Sequence, residues 1–339
     1  MKTYLQMLID NQSLSYEEMK AAAQLLFQDD ITDSEIAAFL VALKSKGETV
    51  DEIAGLIEAL RENALPFPKE VKGVMDNCGT GGDGSSSFNI SSTSAFVIAG
   101  AGIKVAKHGN RSVSSKTGSA DVLEVLGVNL YMPQEAMEEM LHEIGIAFLF
   151  APHVQPKLGR IMKVRRELKM PTIFNLIGPL TNPISLDYQL VGIYDRKYLD
   201  TFAAVLYKLG RKRAVVINGA GCMDEASLQG ENHISFLENG SIHSFTLTPE
   251  EVGLTPHSNM SIIGGDAKVN AQILRDVLKG REGAHRDTVL LNAGLGIYAA
   301  GGASTVQEGI GLAKESIDSG RAYETLHKMI EKSVKERIS

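Results

Sequence analysis

The chain has 339 residues, a formal net charge of −7, 44% hydrophobic and 22% charged residues, the composition of an ordinary globular protein with room for two domains. It has no long basic run, which argues against nucleic acid as the main partner, because phosphate backbones are held by clustered Lys and Arg. No apolar run reaches the ~20 residues that a bilayer span needs, and Met1-Lys2-Thr3-Tyr4-Leu5 leads to Asp10 without a signal-peptide core. Two cysteines, Cys78 and Cys222, admit one disulfide arithmetically. In a chain this long they point instead to reduced thiols in a cytoplasmic protein, and both are read as structural.

Residues 1–68 read as all-helical. Ser15 with Glu18, Thr32 with Glu35 and Thr49 with Glu52 are three capping boxes, in which a hydroxyl accepts an early helix N–H and a Glu three residues on reaches back. Ile53, Leu56, Ile57 and Leu60 recur at helical spacing behind the third, and Gly47 reads as the C-cap of the second. Leu65-Pro66-Phe67-Pro68 breaks the pattern.

From Val71 strands and helices alternate. A strand at Val74-Met75 runs into a glycine loop, and a helix follows over 91–100. A strand over 103–106 runs into a second polar loop. Helices follow over 121–126 and 133–144, with buried strands over 146–150, 189–194 and 214–217 and a helix over 198–209. Residues 234–236 and 242–245 flank Glu238-Asn239-Gly240 as a hairpin. Residues 270–338 read as helical. So does 153–168, which gathers Arg160, Lys163, Arg165 and Arg166, while Pro171–Pro183 is irregular. The fold class is α/β: a small helical domain (1–68, joined by about 164–184) and a larger α/β domain (71–163 and 185–339) with a mostly parallel sheet.

Both polar loops fall at the carboxyl ends of strands, where α/β sheets bind ligands. The first is Cys78-Gly79-Thr80-Gly81-Gly82-Asp83-Gly84, continuing through Asn89-Ile90-Ser91-Ser92-Thr93. The second is Lys107-His108-Gly109-Asn110-Arg111, with Ser112, Ser114, Ser115, Lys116, Thr117, Gly118 and Ser119. Glycine lets backbone N–H groups turn toward an anion, a helix starting near Ser91 adds its N-terminal dipole, and Lys107, Arg111 and Lys116 add charge. Alone, the first loop is equally a flexible turn; the second favours a phosphate or pyrophosphate ester. Neither a Walker A loop nor a dinucleotide fingerprint is present. Asp224-Glu225 alone reads as a surface turn, but beside a pyrophosphate site it suits Mg²⁺. His108 alone reads as a packed or surface histidine, and in its setting as a ligand contact.

These motifs, with Ser115-Lys116-Thr117-Gly118-Ser119-Ala120-Asp121 and Phe174–Pro183, closely resemble the anthranilate phosphoribosyltransferases over nearly the full length. The resemblance implies a cytoplasmic homodimer, paired through the helical domain and related in fold to pyrimidine nucleoside phosphorylases. It implies transfer of the phosphoribosyl group of 5-phosphoribosyl 1-diphosphate (PRPP) to the amine of anthranilate, with Mg²⁺, two ions per subunit, in tryptophan biosynthesis. Carried over by motif, Gly79, Thr80, Gly82, Asp83, Asn89, Ser91, Ser92, Thr93, Lys107 and Ser119 would bind PRPP. Gly79, His108, Asn110 and Arg165 would face anthranilate, with Arg165 on its carboxylate. Ser91, Asp224 and Glu225 would organise metal. No general base is implied; Lys107, Arg165 and the metal site act electrostatically and by orientation. Gln155 and Lys157, where the family often has His and Ala, depart along the acceptor's approach. Lys169 stands where it often has Gly, and Ser92 where it often has Thr. A nucleoside phosphorylase would carry Lys-His-Ser-Thr-Gly-Gly in the second loop, and a nucleic-acid-binding paralogue would lack Asp224-Glu225; neither pattern is found here.

Overall fold

The structure is a computed structural model describing residues 1–67, 71–112 and 116–335. Pro68 of the expected break, Ser114 and Ser115 of the second loop and the end of the expected C-terminal helix lie outside these. Four helices come first: α1 (Lys2–Ile9), α2 (Tyr16–Leu25), α3 (Asp33–Lys46) and α4 (Val50–Glu62). All three capping boxes form, with Glu18, Glu35 and Glu52 accepting from the backbone N–H of Ser15, Thr32 and Thr49 at 2.9, 2.9 and 2.8 Å. The helices bury Met19, Phe39, Leu40, Ile53 and Leu56 against one another.

The α/β part runs β1 (Val74–Asp76), α5 (Ile90–Gly100), β2 (Lys104–Gly109), α6 (Ser119–Leu126), α7 (Gln134–Glu143), β3 (Ile146–Phe150), α8 (Ala151–Val154), α9 (Gly159–Leu168), β4 (Tyr188–Gly192), α10 (Leu199–Lys208), β5 (Arg213–Asn218), β6 (Asn232–Glu238) and β7 (Ser241–Leu247). It closes with α11 (Ala267–Leu278), α12 (Ala284–Ala299), α13 (Val306–Asp318) and α14 (Arg321–Lys335). The seven-stranded sheet has the order β3-β2-β1-β4-β5-β6-β7. The first five strands are parallel; β6 and β7 pair antiparallel through Asn239 (φ 51°) and Gly240 (φ 79°), the two left-handed residues such a turn requires.

Two expectations are corrected. Lys107, His108 and Gly109 are not loop residues. They extend β2, paired with Phe148, Leu149 and Phe150 of β3, because tertiary pairing overrides their polar composition. The helix expected over 153–168 is broken, since Pro156 has no N–H to continue it and drives Gln155 to φ −128°, ψ 61°. The second half, α9, ends on Lys169 in the left-handed region, φ 51°.

Buried side chains form two cores. One fills both faces of β1–β3 and packs α5, α12 and α13 around Phe96, Phe148 and Leu295. The other joins the first four helices to α9, α10 and one face of β4 and β5, through Ile161, Ile173, Phe202, Val191 and Val216. The helical unit is therefore seated on the sheet beside β4. The order of the strands reverses between β1 and β4, and such a switch point opens a crevice at the strands' carboxyl ends.

Candidate functional site

The glycine loop leaves β1 at that crevice. Gly79 bridges Gly192 at the end of β4, and Thr80 N–H donates to the Gly192 carbonyl at 2.9 Å. A methyl group at Gly192 would collide with the Asp224 carbonyl, so only glycine lets the Asp224 loop close over the switch point. Gly81 and Gly82 follow with φ of 70° and 79°, turning the backbone so that Gly81 N–H donates to Asp224 Oδ2 at 2.6 Å. Asp83 accepts from Ser85 through Oδ1 and from Asp224 N–H at 3.4 Å through Oδ2.

Helix α5 then begins. Asn89 makes no capping bond, and the N–H of Ser91 donates instead to Glu225 Oε1 at 3.1 Å. Ser92 and Thr93 are buried; Ser92 lines a small internal void beside Phe96 and Lys107, and Thr93 Oγ1 donates to the Asn89 carbonyl. From the turn after β5, Asp224 thus reaches the glycine loop and Glu225 the start of α5. Burial, then Glu225 and Asp83, raise the Asp224 carboxyl well above its ordinary range. Burial pushes Glu225 up to about 7 against the pull of Lys107. Among the described residues, no three carboxylate, imidazole or thiol groups converge as a ready-made cage. A cation here would take oxygen from adjacent carboxylates and the Ser91 hydroxyl and complete its shell with water and phosphate, which is the ordinary binding mode of Mg²⁺. The donor set fits that ion.

Strand β2 brings the second group. Lys107 is buried and its Nζ donates to the Asn77 carbonyl at 2.9 Å. The His108 ring is buried with Nε2 unpartnered, and burial lowers its pKa to about 4. Asn110 holds the loop's return, its carbonyl accepting from Ser119 Oγ and Ala120 N–H and its Oδ1 from Arg111 N–H. Arg111 does not lend its charge to the anion site, because its guanidinium is held by Asp121 and Glu124 at 2.9 Å. Arg165 is half-buried on α9 and stands over the Phe174 ring at 5.2 Å, its Nη2 near Asn175 Oδ1 at 3.3 Å. No carboxylate is among these partners, and burial alone depresses its pKa; Arg166 is exposed.

Residues 2–64 match the helical bundle domain of a glycosyl transferase family, and residues 71–323 match its a/b domain. The anthranilate phosphoribosyltransferase of Bacillus mycoides (strain KBAB4) is 58% identical over 330 residues, 97% of each chain. The chain belongs to the anthranilate phosphoribosyltransferase family. The crystal structure of the Thermus thermophilus anthranilate phosphoribosyltransferase superposes with a TM-score of 0.93 at 40% identity, covering 97% of this chain and 99% of that one. The Saccharomyces cerevisiae anthranilate phosphoribosyltransferase in complex with PRPP and Mg superposes with a TM-score of 0.88 at 26% identity, covering 98% of each.

Sequence reasoning missed two buried groups in this anthranilate phosphoribosyltransferase fold. Asp76, at the end of β1, accepts from Asn77 N–H, His108 N–H and Asn182 Nδ2 at 2.8, 3.3 and 3.0 Å, tying the glycine loop, β2 and the Phe174–Pro183 segment together. Asn292 on α12 exchanges two 2.9 Å hydrogen bonds with the backbone of Ala226, the residue after Glu225. Asp76 is an acid at a strand end, a signal visible in the sequence; Asn292 sits in an otherwise apolar run and gives none. Gln155 is buried on the Thr181 carbonyl at 2.5 Å, and Lys157 reaches Asn63 Oδ1 at 3.1 Å.

Proposed function

We propose that this chain transfers the 5-phosphoribosyl group of PRPP to the amino group of anthranilate, releasing pyrophosphate, in tryptophan biosynthesis. One observation carries the reading beyond family membership. Asp224 accepts an N–H bond from Gly81 of the glycine loop and Glu225 one from Ser91 in the first turn of α5, which supports carboxylates suited to a cation and amides suited to a phosphate sharing one site at the switch point.

The amine of anthranilate is already a nucleophile, so the barrier lies in breaking the C1–O bond. As the lone pair of the amine bonds nitrogen to C1, the C1–O bonding pair leaves with pyrophosphate, and one of the amine's own two protons passes to solvent. Backbone N–H groups at Gly79 and Gly82, the Thr80 hydroxyl, and Asp83, Asn89, Ser91, Ser92, Thr93 and Ser119 hold PRPP, and Lys107 stabilises the departing charge. Asp224, Glu225 and Ser91 would hold Mg²⁺, two ions per subunit, whose positive charge would offset the negative charge of the phosphates. Gly79, His108, Asn110 and Arg165 receive the acceptor; Arg165, lacking an acidic partner, pairs its carboxylate and orients the amine. The neutral His108 ring leaves Nε2 for the acceptor.

The helical domain, residues 1–68 with about 164–184, closes on the α/β domain and supplies the contact of a cytoplasmic homodimer. No helix among the described residues is long and apolar enough to cross a membrane. Anthranilate fluorescence with purified protein, PRPP and Mg²⁺ tests the function. A PRPP-dependent, EDTA-sensitive loss of fluorescence is expected; PRPP binding without that loss would mean a different acceptor.

A further inference from the structure

The segment before α11 zips onto the glycine loop. Phe88 N–H donates to the Ile262 carbonyl at 3.0 Å, and Gly264 N–H donates to the Ser86 carbonyl at 2.9 Å. Asn270, in the first turn of α11, lies behind this pairing with only 2% of its surface exposed. Its Nδ2 donates to Asn89 Oδ1 at 2.8 Å, and its Oδ1 accepts from Gly265 N–H at 2.7 Å. The Gly265 carbonyl accepts from Thr117 Oγ1 at 2.9 Å, and the Thr117 carbonyl faces Asn89 Nδ2 at 3.5 Å. Asn89, Asn270, Gly265 and Thr117 thus close a ring of four hydrogen bonds that links the glycine loop to the second polar loop through a segment belonging to neither.

We propose that Asn270 is a positioning residue for PRPP, fixing the Asn89 amide and the spacing of the two loops through this ring. The inference rests on the functional reading above, in which Asn89 meets PRPP. A residue that only stabilises α11 would affect folding and both substrates alike. A clamp between the two loops acts first on the donor, because the ring bonds Asn89 directly, while none of its four hydrogen bonds involves the acceptor-side groups Gly79, His108, Asn110 and Arg165.

The test compares wild type with Asn270→Ala, Asn270→Asp, Thr117→Val and the Asn270→Ala/Thr117→Val double variant. It measures steady-state kinetics and, separately, calorimetric binding of PRPP with Mg²⁺. Asn270→Asp keeps the acceptor for Gly265 and removes the donor to Asn89. Loss of the bond to Asn89, common to both Asn270 variants, should raise the PRPP KM and Kd by about tenfold, with kcat and the anthranilate KM within about twofold of wild type. Thr117→Val opens the ring on the other side, so it should act on PRPP alone and the double variant should be no worse than Asn270→Ala. Folded variants that bind PRPP as wild type does, or weaken anthranilate equally, would overturn the clamp, as would additive effects in the double variant. If an Asn270 variant fails to fold, Thr117→Val decides by the same criteria. Wild type that binds no PRPP would overturn the functional reading and this inference together.

Discussion

Replacing His108 by Gln should flatten the acid limb of the protein's stability. The His108 ring is buried, and its pKa falls from 6.5 to about 4 on folding. Between those values the unfolded chain binds a proton that the folded chain refuses, so acid favours unfolding. The contribution is complete above about pH 6.5 and is lost as the pH falls through about 4. At about 1.36 kcal/mol per unit, the shift is worth on the order of 3 kcal/mol in all, of which about 2 kcal/mol is lost by pH 5. Urea unfolding of the ligand-free wild type and His108→Gln at pH 8, 6.5 and 5 isolates this group, because every other titration is common to both. The wild-type advantage should shrink by about 2 kcal/mol between pH 8 and 5. Parallel stability curves would refute the claim that the ring folds neutral. The same neutrality requires that kcat/KM for anthranilate show no limb from this group near pH 6.5.

Lys169→Gly should stabilise the protein by about 1 kcal/mol, seen as a raised Tm, because Lys169 occupies the left-handed C-cap of α9 that glycine adopts without strain. Glu52→Ala should cost about 3 kcal/mol in urea unfolding; the buried Glu52 carboxylate accepts from Leu14 N–H and Thr49 N–H and pairs with Lys46 Nζ at 2.9 Å, and its removal strands a nearly buried cation. Arg165→Ala should raise the anthranilate KM by about tenfold or more and leave PRPP binding intact, given the strength of a charge-assisted bidentate pair; an unchanged KM would remove Arg165 from the acceptor site. Mg²⁺ with pyrophosphate at about a hundred times its Kd should stabilise wild type by about 2.7 kcal/mol. The Asp224→Asn protein should lose most of that thermal shift, and an equal shift in both would contradict the assigned metal carboxylates.

What the sequence made legible was local. A capping box spans four residues, so Ser15, Thr32 and Thr49 declared their helices outright, and Asn239-Gly240 declared its hairpin. The two loops could be read as one anion site because glycine, hydroxyl and amide groups clustered at predicted strand ends. The strand order could not be read, since β4 joins the sheet beside β1 across more than a hundred intervening residues. For the same reason nothing announced that Gly192 meets Asp224, or that Asn270 reaches Asn89 from 181 residues away. Charge in the second loop misled most. Arg111 looks like an anion ligand in sequence, but Asp121 and Glu124, on successive turns of α6, occupy it. The three capping boxes and Arg111 obey the same chemistry; they differ in whether the partner's position is fixed by the chain or by the fold.

Four groups assigned to the proposed site share an electrostatic condition. Asp224 and Glu225 are raised toward the neutral acid, the His108 ring is held neutral, and burial depresses the pKa of the unpaired Arg165. Each shift disfavours charge in the ligand-free protein. For three of these groups the proposed reaction brings a ligand that would restore it: a divalent cation for the two acids and a carboxylate for the arginine. A fold selected for the stability of its ligand-free form alone would remove such groups or pair them with one another, as it pairs Lys46 with Glu52 and Arg111 with Glu124. Charges paired in the first four helices and on α6 contrast with those left without a counter-charge at Asp224, Glu225 and Arg165. On the proposed reading, donor and metal would bind together: the metal's charge would let Asp224 and Glu225 ionise beside a phosphate that would otherwise repel them, and the phosphate would supply further oxygen ligands.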